Sequence, residues 1–390
     1  MPKNKFNKVH SITGRINLEL MSQAWNNVKK NRGAAGLDGI SIKMFNDMLY
    51  PNLIALMKTL KSRGKYESKP LKRVYIPKSN GKLRPLSIPS VRDRIAQEVI
   101  RLLIEPIFEP TFSPLSFGFR PNRNAHQAIH AILEYAKQGY KVVLDADIKG
   151  FFDNIPHKLI IQLVANRIAD GNILSIIQQF LTAKIVDGDK VIKPNIGTPQ
   201  GGVISPLLAN IVLDRLDQQL TQTQLDVKFV RYADDFVVLA KNHDDANLAL
   251  EFVSDILNNQ LSLQLAPDKT HIREFKQGFE FLGFNIKSSG VIIKDKSLKK
   301  FKDNIRKITT RSHNLGIHTF LKVNRVICGF RNYFASPKFA TTFTQMYRLD
   351  KWIRARIRAM KFNRISPKDH FKWSNRKMTK LGLKSLTEST

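Results

Sequence analysis

The sequence predicts an α+β fold, an antiparallel sheet layer followed by a basic helical segment, and three observations predict it. Short β-branched runs bounded by turn residues recur between positions 71 and 286, with stretches of helical apolar spacing between them. After about Asp295 the strand signals fade and only helical spacing remains. The charge is lopsided as well: residues 291–390 hold 25 Lys/Arg against 5 Asp/Glu, in a chain of 390 residues with 64 Lys/Arg and 32 Asp/Glu. A few antiparallel strands backed by helices make one sheet layer, and the basic helices make a separate body.

Residues 1–65 read as a helical N-terminal extension. Leu18, Met21, Ala24, Trp25 and Val28 share a helical face, and Met44, Met48, Leu49, Leu53, Leu56, Met57 and Leu60 form a second one. Between them Gly33-Ala34-Ala35-Gly36-Leu37-Asp38-Gly39 is too glycine-rich for a helix interior and reads as a loop. Residues 66–290 form the mixed domain. Leu71–Pro77 and Leu83–Ile88 are strands of a hairpin around Ser79-Asn80-Gly81, and 91–109 returns to helical spacing. Residues 141–148 are a β-branched strand, 158–168 and 173–183 amphipathic helices, and 184–193 folds back at Asp187-Gly188-Asp189. A helix over 207–220 starts after Ser205-Pro206, a favourable first turn. Val227–Tyr232 and 236–240 are strands joined by Ala233-Asp234-Asp235, followed by a helix over 244–257 and a strand over 278–286. In the third domain, 291–390, Leu298, Phe301, Ile305 and Ile308 alternate with Lys299, Lys300, Lys302, Arg306 and Lys307. Trp352, Ile353, Ile357 and Met360 do the same with Arg354, Arg356, Arg358 and Lys361.

Composition removes several function classes. A 42% apolar content supports packed cores, so this is no disordered basic tail. The single cysteine, Cys328, excludes a disulfide framework and a Cys-rich zinc site. Residues 1–10 contain no apolar signal core and no run approaches 18 apolar residues, so the expectation is a cytosolic protein with no membrane partner. A formal charge of +32 points to a polyanion, with nucleic acid the default. A merely solvated basic surface competes with that reading, although solubility does not require so large a charge.

Three carboxylates carry the chemistry. Asp147 ends a strand that should be buried, and Asp234 and Asp235 sit together at a hairpin tip between two apolar strands. Adjacent like charges there are costly unless a cation neutralises them. Hard oxygen donors suit Mg²⁺, which takes one or two carboxylates plus substrate phosphates. Two such ions roughly 3.5–4 Å apart would activate an attacking hydroxyl and stabilise a leaving oxygen. Taken alone, Asp-Asp in a hairpin also reads as an ordinary turn.

The neighbouring residues resemble a known family. Tyr232-Ala233-Asp234-Asp235 resembles the signature of reverse transcriptases, and Asp147-Ile148-Lys149-Gly150-Phe151-Phe152-Asp153-Asn154-Ile155 resembles their first-aspartate motif. In the family's order stand Ile76-Pro77-Lys78 through Leu83-Arg84-Pro85-Leu86, Ser116-Phe117-Gly118-Phe119-Arg120-Pro121 with His126-Gln127-Ala128, and the run from Gly197-Thr198-Pro199-Gln200-Gly201-Gly202 to Ser205-Pro206. Phe281-Leu282-Gly283-Phe284 resembles the primer-grip hairpin, and the Gly36–Gly39 loop resembles an N-terminal extension of bacterial reverse transcriptases. Together these blocks resemble a group II intron-encoded reverse transcriptase/maturase of the bacterial, endonuclease-lacking type. The resemblance implies a right-hand polymerase fold, with fingers and palm on an antiparallel sheet and an α-helical thumb/maturase domain.

The resemblance also implies roles. Asp147, Asp234, Asp235 and the Ile148 carbonyl would hold two Mg²⁺ ions, with Mn²⁺ able to substitute. Lys78 and Arg84 would meet the triphosphate of a dNTP, Phe152 would lie under its sugar, Gln200 would contact the template–nucleotide pair, and Tyr232 would belong to the same dNTP/template site. Lys269 matches a lysine that protonates pyrophosphate; it also reads as an exposed lysine after a turn. Phe152 reads equally as core. Asn324-Arg325-Val326-Ile327-Cys328-Gly329-Phe330-Arg331-Asn332-Tyr333-Phe334 resembles the maturase Arg-Gly-Trp-x-Asn-Tyr signature, with Cys328 and Phe330 departing from it. Arg331, Arg354, Arg356 and Arg358 are the expected RNA contacts. The implied partners are structured intron RNA, an RNA template with DNA primer, and dNTPs, in a bacterial cytosol or nucleoid; the oligomeric state stays open. Two rival readings are a free-standing enzyme of the same type in defence or DNA repair, and a splicing cofactor with incidental polymerase activity.

Overall fold

A computed structural model describes residues 8–77, 81, 83–310, 316–336 and 338–387. It divides the chain into two compact units, 1–272 and 273–390.

The first unit is built around one core that runs from the N-terminal helices to the central sheet. Helix Leu18–Lys30 starts where the Asn17 side chain accepts from the Leu20 amide, and it buries Met21, Ala24, Trp25 and Val28, the face its spacing predicts. That face meets helix Val91–Phe108, whose start is capped by Ser90. Gly36 of the intervening loop lies so close to Ser90 that a Cβ would stand 2.7 Å from its Cα, which is why no side chain is tolerated there.

The first sheet has β1 (Leu71–Pro77) paired antiparallel with β2 (Leu83–Ile88). β3 (Val142–Ala146) belongs to the second sheet, the one that positions the site. β4 (Ile185–Asp187) and β5 (Lys190–Ile192) extend the first sheet as a hairpin, with β4 parallel to β1. β6 (Val227–Tyr232) and β7 (Asp235–Ala240) form the hairpin at the heart of the second sheet. Its order is β6-β7-β3-β8, with β8 at His271–Glu274. Helices Ser205–Gln222 and His243–Asp255 pack on this sheet, the first with Pro206 in its opening turn. Strand β7 is buried from Phe236 onward, which explains its unbroken apolar run.

The stretch 278–286 forms two strands rather than one. β9 (Phe279–Phe281) and β10 (Phe284–Lys287) pair antiparallel, and β11 (Gly290–Ile293) completes a three-stranded sheet in the second unit. The break falls at Leu282 and Gly283, with φ of 50° and 80°, so the chain reverses where glycine permits it. Helices Asp295–Ile308, Ile317–Phe334 and Ala340–Phe362 follow. Asp350 accepts from the Leu386 amide at 2.9 Å and from the Ser385 hydroxyl, so a buried carboxylate ties the C-terminal segment to the longest helix. Among the described residues no helix is long and apolar enough to cross a membrane.

Candidate active site

Strand register brings the three aspartates together. β3 and β7 run antiparallel with Ala146 opposite Phe236, so Asp147, the next residue out of β3, emerges beside Asp235 at the start of β7. Tyr232 pairs with Asp235, leaving Ala233 and Asp234 as the two central residues of the turn. Ala233 takes a φ of 58° at a position that glycine usually fills. Gly118, from the Ser116–Pro121 block, packs against this turn, and a Cβ on it would lie 2.3 Å from the Ala233 nitrogen. The main chain after Asp147 is pinned as well: the Ala266 amide donates to the Asp147 carbonyl and the Lys149 amide to the Gln264 carbonyl, both at 2.8 Å.

The electrostatics are those of carboxylates short of a counter-charge. Burial raises Asp234, the Asp147 carboxylate adds to the effect, and Arg84 and Lys269 work against it. Asp235 is exposed, yet the protein packed around it and the Asp234, Asp147 and Asp145 carboxylates push it up to about 6. Lys269 ion-pairs with Asp147, and that hydrogen bond raises the lysine. Among the described residues no three carboxylate, imidazole or thiol groups are drawn together at metal-ligand spacing. The donor set nevertheless fits a divalent cation: the oxygens are hard, they repel one another, and an ammonium already stands on one of them.

The surrounding residues are placed in two groups. Arg84, on β2, is exposed and close enough to lower Asp234. Lys78 lies outside the described residues. Phe152 is half-buried, packs on the core and meets Phe151 edge-on at 5.2 Å, so packing is part of its role. Gln200 donates to both Asp153 carboxylate oxygens at 3.0 and 3.1 Å, a link the motifs do not reveal. The Thr198 amide donates to the Phe152 carbonyl at 2.6 Å, and His157, held neutral-leaning by burial, sits with Nε2 2.7 Å from the Gly197 carbonyl. The segments bearing Phe152 and Gln200 are therefore fastened to each other. Ile148 has a buried side chain and bridges to Leu265. Tyr232 faces Phe119, 58% exposed with a φ of 55°, across 6.5 Å.

In the second unit several arginines expected at an RNA surface are held by the protein. Arg356 donates to the Thr309 carbonyl at 2.8 Å, capping a helix end; Arg358 donates to the Trp373 carbonyl at 2.9 Å; Arg331 reaches the Ser385 carbonyl at 3.4 Å. Arg354 Nη1 is buried without a hydrogen-bond partner among the described residues. Phe330 packs between Phe301 and Phe334, and the Tyr333 hydroxyl donates to the Leu282 carbonyl at 3.0 Å. Lys296, Lys299, Lys300, Arg306 and Lys307 are exposed basic groups of helix Asp295–Ile308, and Arg306 is paired with Asp303.

Comparison with known families agrees with this geometry. The profile described as "Reverse transcriptase (RNA-dependent DNA polymerase)" matches residues 76–286, and "Group II intron, maturase-specific domain" matches 298–379. The chain belongs to the group II intron reverse transcriptases. This reverse transcriptase is 35% identical to Protein YkfC of Escherichia coli over 306 residues, covering 69% of this chain and 80% of that one. It is 32% identical to the group II intron-encoded protein LtrA of Lactococcus lactis over 343 residues, covering 71% and 57%. With the putative COX1/OXI3 intron 2 protein of Saccharomyces cerevisiae it shares 29% over 354 residues, 73% and 40%. The reverse transcriptase thus spans about half the length of these two intron-encoded relatives. Its class is RNA-directed DNA polymerase, a family that works with divalent metal ions.

Proposed function

We propose that this reverse transcriptase extends a DNA primer along an RNA template at Asp147, Asp234 and Asp235 with magnesium, and that its C-terminal unit docks structured intron RNA and assists its splicing. The observation that carries the polymerase reading is the strand register that places Asp147, Asp234 and Asp235 at neighbouring strand ends, electrostatically coupled to one another and to Arg84 and Lys269. The primer 3′-hydroxyl gives up its proton to solvent and attacks the α-phosphorus of a dNTP, forming the new P–O bond as the bond to pyrophosphate breaks. Two magnesium ions held by the aspartates would supply activation of that hydroxyl and neutralisation of the leaving oxygens. Arg84 reaches toward the same place with a planar fork suited to phosphate. Lys269, released from Asp147, carries a proton for the departing pyrophosphate. Docking of intron RNA is supported by the excess of 25 Lys/Arg over 5 Asp/Glu in 291–390 and by the maturase-specific match. The setting is the cytosol or nucleoid, where such transcripts are made.

Sugar choice follows from Phe152, which is half-buried yet lies beside the site on a segment fastened to Gln200. Phe152→Ala removes the bulk under the ribose C2′, so discrimination based on a clash goes with the clashing group. Steady-state incorporation of each nucleotide should show a rise in ribonucleotide use. An unchanged dNTP/NTP ratio returns Phe152 to a purely packing role.

A further inference from the structure

Close to the site lies a buried charge that the chemistry above does not use. Arg231 is 0% exposed, on the face of β6 it shares with Val227 and Phe229. Its guanidinium forks onto Asp217, itself 0% exposed, with Nε 2.8 Å from Oδ1. Nη1 donates to Asn210 Oδ1 and to the Ala233 carbonyl, each at 2.9 Å. Asn210 and Asp217 lie seven residues apart on one face of helix Ser205–Gln222. Asn210 Nδ2 in turn donates to the Gly118 carbonyl at 2.9 Å, on the loop that packs against Ala233. The Arg231 main chain closes the ring, accepting from the Phe117 amide at 2.9 Å and donating to the Leu115 carbonyl at 3.0 Å.

An ion pair this deep is an expensive way to join a strand to a helix, because two apolar side chains would hold them at least as firmly. What apolar residues cannot do is grip a peptide. Ala233 sits in the left-handed region, which strains a residue with a Cβ, and Asp234 follows it directly. With its planar fork fixed by Asp217 and Asn210, Arg231 presents a donor to the Ala233 carbonyl and sets the plane of that peptide. We propose that Arg231 is the positioning residue of the Ala233–Asp234 turn, held in orientation by Asp217 and Asn210, and that it sets the direction of the Asp234 and Asp235 carboxylates. This rests on the reading of those two aspartates as metal-holding residues.

The test is the paired replacement Arg231→Met/Asp217→Leu, which removes the grip without leaving a buried charge alone. The melting temperature is expected to stay within a few degrees of wild type. Primer-extension kcat should fall about tenfold to a hundredfold, the cost of misplacing reacting groups by a fraction of their spacing. KM for dNTP and the affinity for primer–template should not move. Mn²⁺ binding to the nucleotide-free protein, followed by electron paramagnetic resonance, should weaken several-fold, and amide exchange over 232–236 should accelerate. A folded double variant with wild-type kcat, Mn²⁺ affinity and exchange overturns the proposal. If that variant does not fold, Asn210→Leu carries the test with the ion pair intact, and unchanged kcat and exchange there overturn it equally. Asp234→Asn run in parallel separates the two ideas: an active Asp234→Asn protein defeats the metal-site reading, whereas an inactive one beside a fully active double variant defeats only the positioning role.

Discussion

Asp147→Asn, Asp234→Asn and Asp235→Asn are each expected to lose RNA-templated DNA synthesis while keeping the fold and most of the affinity for RNA. The three carboxylates stand at neighbouring strand ends and are coupled electrostatically, so on the metal-holding reading neutralising any one of them weakens the hold on a shared cation. The loss should be at least about a hundredfold in kcat, the scale seen when one preorganised electrostatic group is removed. Stability should not fall for Asp234→Asn or Asp235→Asn, since the surrounding protein and the neighbouring carboxylates raise both groups and their ionised forms burden the folded state, whereas Asp147→Asn also gives up the ion pair with Lys269. Single-turnover extension, a thermal melt and a filter-binding titration read the three properties separately. Near-normal extension by any one variant removes that residue from the metal-holding set.

The second large effect concerns the basic helices, and it separates two kinds of arginine and lysine. Arg356→Gln/Arg358→Gln deletes hydrogen bonds from charged donors to the Thr309 and Trp373 carbonyls, each worth about 1.5 kcal/mol or more. The melting temperature should drop by several degrees, whatever happens to RNA affinity. Lys299→Gln/Lys300→Gln/Lys307→Gln changes exposed groups, so the melt should stay in place. Affinity for structured intron RNA should weaken, and its dependence on salt should flatten by about 0.7–0.9 in log–log slope for each phosphate no longer neutralised. Measured over a salt series, a short primer–template should be weakened less. Equal weakening on both nucleic acids would contradict a dedicated intron-docking surface.

Much of the site was legible because its parts obey short-range rules. A short apolar run bounded by turn residues placed Val227–Tyr232 as a strand, the unbroken apolar run after Asp235 marked a buried one, and register then had to bring Asp147 to the same end of the sheet. The pairing of Lys269 with Asp147 was not legible, since 122 residues separate them and it takes the pairing of β3 with β8 and the bridge of Ile148 to Leu265 to bring them together. The Asp153–Gln200 link was hidden for the same reason, as an exposed Asp in a motif says nothing of its partner. Arg356 and Arg358 read as RNA contacts because helical spacing reveals the apolar face but not which long side chains fold back onto carbonyls. Arg231 did leave a trace: period-two alternation puts it inward with Val227 and Phe229, and Asp217 falls on the apolar face with Leu213 and Leu220. Two opposite charges, each on a face meant to be buried, ask to be paired.

Metal dependence of RNA-templated synthesis tests polymerisation at the three aspartates most directly. The measurement is extension of a DNA primer annealed to RNA, with four dNTPs, by protein first stripped with a chelator and then given Mg²⁺. The expected result is no product from the stripped protein and recovery of full-length cDNA as Mg²⁺ is restored, with Asp234→Asn remaining silent at every concentration. Extension that persists through chelation, or Mg²⁺-restored extension by Asp234→Asn equal to wild type, would contradict polymerisation at the three aspartates.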